Sequence, residues 1–148
     1  MKLIALLLVA FSGFSTLHAQ CDADVREAFG GVSSITIYNT YLTIGAIADG
    51  HVNDVYDAER VKELMGEQAS MLQSVIDMLS KCQTAKSNGL SAEDVLYVKD
   101  LIACLKSLKE EALGLSDYAV TGSEAAQTKY NTNRDKAWSQ IKTLMGIE

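Results

Sequence analysis

Between Asn53 and Gly89 the chain repeats apolar side chains at a spacing that a helix gathers on one face. Val61, Leu64, Met65, Leu72, Val75, Ile76 and Leu79 recur at i, i+3, i+4 and i+7. Asn53 or Asp54 is placed to cap the start, and Asn88-Gly89 tolerates the left-handed turn that ends such a helix. An apolar stripe of this length cannot be left in water. The rest of the chain must supply its partners, and no proline occurs anywhere to interrupt them.

Residues 1–19 read as an export signal peptide rather than as part of the fold. Lys2 makes the start positive, Leu3 to Phe11 form an apolar run, and Ala19 is the small residue of a cleavage site. The run is shorter than the roughly 20 residues that span a bilayer. Acylation of Cys21 is the competing reading, but Gln20 and His18 stand where a lipoprotein signal has a small and an aliphatic residue. The expected mature chain is one domain over residues 20–148, periplasmic or secreted, and the short singly charged start is of bacterial type. Loss of Lys2 with the leader takes the formal charge from −6 to −7. Such acidity disfavours nucleic acid and anionic lipid as partners, and no second apolar stretch predicts a membrane span.

From Asp22 to Asp49 the positions Val25, Ala28, Phe29, Val32, Ile35, Leu42 and Ala46 also keep helical spacing. Gly30-Gly31 and the β-branched cluster around Ile35, Ile37 and Ile44 lower helix propensity, and Ser34 to Tyr38 alternates as a strand would. A lone strand has nothing to pair with, so a helix is expected, with Gly30-Gly31 the place for a bend. Asp49-Gly50-His51 is the expected turn into the long helix. Ser91 caps a third helix, with acids in its first turn, whose stripe is Val95, Val98, Leu101, Ile102, Leu105, Leu108 and Ala112 and whose end is expected near Gly114. A last helix starts at Ser116 or Ser123 and carries Ala126, Tyr130, Ala137, Trp138, Ile141 and Met145. Four amphipathic helices with short connections predict an all-α fold, an antiparallel up-down four-helix bundle.

The cysteines bear on that topology. Cys21 and Cys82 each lie about 30 residues from a turn near His51, so a helical hairpin brings them level. An oxidising compartment favours a disulfide between them, which by closing a loop of about 60 residues would contribute about 3–4 kcal/mol. Cys104 reads as a buried thiol, the alternatives being a bond to Cys82 or to another chain.

Residue supply argues against most catalytic and cofactor chemistry. His51 is the one histidine outside the leader, no Cys-x-x-Cys or Glu-x-x-His element occurs, and no glycine-rich loop precedes a lysine. No catalytic residue, metal site or cofactor is therefore expected. Asp49, Asn53, Asp54 and Asp57 cluster without the spacing of a calcium loop. Carboxylates such as Asp54 and Asp57, Glu59 and Glu63, or Glu63 and Glu67 fall at helical spacing, which marks a solvated helix face.

Three polar side chains fall within apolar stripes: Asn39, Gln68 and Arg134. Buried polar groups must be hydrogen-bonded and a buried charge must be paired. They form either a polar layer that registers the helices or, with Tyr130 and Trp138, a pocket in which Arg134 binds a small anionic ligand. The expected function is a non-enzymatic interaction or structural module whose partner is a protein, itself or another, with Tyr38, Tyr41, Tyr56 and Tyr97 as interface candidates. The alternative is a small-ligand carrier.

Overall fold

The computed structural model describes the backbone of residues 2–84 and 90–147 and the side chains of residues 25–83 and 90–147. Its helices are α1 (Lys2–Val52), α2 (Ala58–Thr84), α3 (Ala92–Thr121) and α4 (Glu124–Met145), and no strand occurs among the described residues. The expected all-α class is thus observed, and Ser34 to Tyr38 is helical. Asn88-Gly89 and the side chain of Cys21 lie outside the described residues. The chain divides into two compact units, Met1–Ser33 and Ser34–Glu148. In the first, the described apolar side chains Val25, Phe29 and Val32 are exposed. In the second, the remainder of α1 and the other three helices enclose one apolar core.

The turn falls later than Asp49-Gly50-His51. Helix α1 continues through those residues to Val52, and the reversal occupies residues 53–57. Asp54 takes the left-handed conformation there, φ 59°. The Val55 amide donates to the Gly50 carbonyl at 2.8 Å, and His51 Nδ1 donates to the Tyr56 carbonyl at 3.0 Å. Gly50 is required by packing, since a Cβ at that position would stand 2.6 Å from the Tyr56 ring. Neither Asn53 nor Asp54 caps α2: Asn53 Nδ2 bonds back to the Asp49 carbonyl at 2.8 Å, whereas Asp57 Oδ1 accepts from the Arg60 amide at 2.8 Å.

Helix α3, and not the stretch from Asn53, is the central element. It packs against both α2 and α4 and buries residues on most of its circumference, from Val98 through Leu108 to Leu115. Ser91 caps it as expected, in a full capping box with Asp94. It does not stop at Gly114. A Cβ at Gly114 would lie 2.8 Å from the Tyr130 amide nitrogen, so this glycine lets α4 approach rather than ending α3. The helix ends at Thr121, with Gly122 in the left-handed conformation at φ 61°. Of the two serines considered, Ser123 caps α4, accepting from the Ala126 amide.

The α1 stripe differs most from expectation. Ile37 and Ile44 are buried, with Tyr38, Tyr41 and Ala48 packed beside them, whereas Ile35 and Leu42 are 61% and 45% exposed and Ala46 also faces solvent. The buried positions lie two residues along from the expected ones, a rotation of about 200° at roughly 3.6 residues per turn. On α2 the expected stripe holds except at Val75, which is exposed. The α4 stripe holds throughout. Tyr38, Tyr41, Tyr56 and Tyr97 are partly buried and pack against the core.

No disulfide forms among the described residues. Cys104 is fully buried, and burial followed by the nearby Glu111 carboxylate pushes its thiol up to about 12. It is an inert apolar side chain at neutral pH.

Candidate functional site

Of the five polar and aromatic candidates, the structure brings three together and leaves two apart. Tyr130, Arg134 and Trp138 occupy successive turns of one α4 face, at i, i+4 and i+8, and meet Tyr38, Tyr41 and Gly45 of α1. Asn39 is exposed on the outward side of α1. Gln68 is half-buried on α2 and makes no hydrogen bond to this cluster.

The cluster is built around a charge pair that the sequence reading lacked. Arg134 Nη1 donates to Glu111 Oε1 at 2.7 Å; the Glu111 side chain is fully buried, and that of Arg134 is 26% exposed. The same nitrogen reaches the Tyr41 carbonyl at 3.4 Å. The guanidinium lies 4.1 Å above the centre of the Tyr41 ring and 6.0 Å from that of Tyr130. Tyr41 in turn stacks on Trp138 with ring centres 5.4 Å apart, and Tyr38 packs tilted against the indole at 6.3 Å. Cation–π contact and stacking thus hold the guanidinium between α1 and α4. Gly45 makes room for it, because a Cβ there would come within 2.6 Å of Nη2.

Burial dominates the electrostatics. It raises Glu111 from the ordinary carboxylate value to about 7, even though the hydrogen bond and charge of Arg134 act in the opposite direction. Burial likewise raises the phenols of Tyr41 and Tyr130 against the lowering effect of Arg134. Glu111 Oε2 is buried without a hydrogen-bond partner, a cost that a proton or a water would relieve. Glu111 was detectable in the sequence, since it lies three residues after Leu108 and four before Leu115 on the apolar side of α3. Its neighbour Glu110 reaches the half-exposed Lys129 at 3.3 Å and belongs to the surface.

No family model, curated protein or solved structure matches this chain. The geometry therefore carries the functional argument.

Two concavities lined by described residues are small and a third is open. One cavity of about 170 Å³ lies between His51, Leu115, Tyr118, Gln127 and Tyr130; another of about 180 Å³ is lined by Asp100, Ala103, Ser139, Gln140, Thr143 and Leu144. Sites for organic ligands run to about 300–1,000 Å³. A larger trough of about 1090 Å³ runs beside the first turns of α2, among Glu59, Arg60, Glu63 and Glu67, and is open to solvent. Among the described residues no group of three His, Cys, Asp or Glu side chains is arranged to hold a metal, and no helix is long and apolar enough to cross a membrane. His51 uses Nδ1 to close the α1–α2 turn.

Proposed function

We propose that the chain is an exported, non-enzymatic helical bundle that binds protein through outward-facing apolar side chains of α1 and α2. The observation carrying this reading is the exposure of Ile35 and Leu42 on α1 together with Met71, Val75 and Met78 on α2. Apolar side chains at regular spacing on a solvent face cost free energy unless something covers them. The polar cluster weighs the other way from a carrier: Arg134 already engages Glu111 and lies against the Tyr41 ring, which stacks on Trp138.

The same reading includes an up-down order of the helices, a domain over residues 20–148, cleavage after Ala19 and an extracytoplasmic location. The helix order is supported by contacts that step in opposite residue order, Gly114 with Tyr130 and Glu111 with Arg134 between α3 and α4, and Tyr41 and Tyr38 with Trp138 after Gly45 with Arg134 between α1 and α4. Residues 1–19 support export through their composition.

Affinity capture from the exported fraction tests the interaction, comparing the parent chain with Leu42→Glu and Val75→Glu chains of equal helicity. The expected outcome is a protein retained by the parent and lost from one or both variants. Identical retention by all three, or none, removes the reading.

A further inference from the structure

We infer that the outward face of α1 is a coiled-coil seam that pairs with the same face of a second copy of this chain. This rests on the interaction reading above and names the partner. In the second unit Ile35, Asn39, Leu42 and Ala46 are all exposed and follow one another at spacings of four, three and four. That alternation is the heptad pattern of a and d positions, with Asn39 and Ala46 at a and Ile35 and Leu42 at d. Upstream in the sequence Val32, Ala28 and Val25 keep the same spacing. Ile37 and Ile44, seven residues apart at f, are buried in the chain's own core. The helix therefore presents one face to its own bundle and leaves the heptad seam open on the other.

Two features select a second copy over a different protein. A single asparagine at an a position is satisfied best by an identical asparagine across the interface, where each amide donates to and accepts from the other, and it fixes register at some expense of stability. The second feature is charge. The chain carries a net charge of −6, so two copies repel through most of their surface, yet no ionisable acid or base occurs between Ala28 and Ala48 apart from two tyrosines turned to the core. The positions flanking the seam, Thr36, Tyr38, Thr43 and Gly45, likewise carry no charge by which to select a partner of opposite sign.

Sedimentation of the full chain across a concentration series tests the pairing, with two variants that move it in opposite directions. The parent should form a dimer. Leu42→Glu, at an exposed position, should weaken the dimer by about a hundredfold or more with unchanged helicity by circular dichroism. Asn39→Val should tighten it by about tenfold or more, a gain that an ordinary surface substitution would not produce. A parent chain that stays monomeric overturns the inference, as does a dimer that neither variant alters. If Leu42→Glu fails to fold, Asn39→Val decides alone. A monomeric parent that still captures a protein through this face would remove the second copy while leaving the broader interaction reading standing.

Discussion

Glycine positions separate two roles that look alike in a sequence. Gly114 and Gly66 both sit inside helices, but a Cβ at Gly114 would press on the Tyr130 backbone whereas one at Gly66 meets nothing within 4 Å. Gly114→Ala is therefore expected to lower unfolding stability by about 1–3 kcal/mol, because backbone cannot yield as a side-chain tip can. Gly66→Ala should raise it by about 0.5–1 kcal/mol through helix propensity alone. Urea denaturation of the two variants checks both signs. Folding raises the Glu111 carboxyl from 4.5 to about 7, so the folded state binds the extra proton and this group favours folding below about pH 4.5. That contribution is lost as pH rises through about 7. Denaturation midpoints measured from pH 5 to pH 8 should fall more steeply for the parent than for Glu111→Gln, which has no proton to lose; parallel curves would assign Glu111 an ordinary value.

Helix ends were readable where a side chain caps its own backbone, and misread where tertiary contact decides. The Ser91-x-x-Asp94 capping box is local, so its residues announce it: Ser91 Oγ accepts from the Asp94 amide and Asp94 Oδ2 accepts from the Ser91 amide. Ser91→Ala should cost about 1 kcal/mol and lower the melting temperature by about 4 °C, followed by circular dichroism. The α1–α2 turn is different. Gly50 resembles a helix terminator, yet it stays helical because the Tyr56 ring packs over it and the Val55 amide and His51 close back across the turn. Periodicity misled in a comparable way. Helix α2 has one wet face, so its apolar stripe stands out; α3 is covered on both sides by α2 and α4, and its apolar residues spread around the circumference. The clearest pattern thus belonged to a peripheral helix, and the central one was less conspicuous because it is more buried. On α1 two apolar faces compete, and nothing local distinguishes the one holding Ile37 and Ile44 from the one holding Ile35 and Leu42.

At the scale of the whole molecule, the core holds Cys104 where no reagent reaches it without unfolding. Its alkylation in native buffer should be slow and should accelerate with urea in step with global unfolding, read by mass spectrometry of the labelled peptide; labelling that ignores urea would mean that α3 opens locally. The position of Arg134 on an apolar stripe signalled that it needed a partner, and Tyr130 and Trp138 were correctly grouped with it, because i, i+4 and i+8 on one helix is a local relation. Its actual partner, Glu111, lies 23 residues away on another helix. Asn39 was assigned to the interior with the wrong face of α1. The helical class, the capping of α3 at Ser91 and the inward faces of α2 and α4 follow from short-range propensity, capping and a single apolar stripe, all legible along the chain. Which helix is central, which face of α1 is buried and which carboxylate Arg134 meets come from packing, because each depends on how separate helices rotate and approach one another to bury the most apolar surface without orphaning a charge.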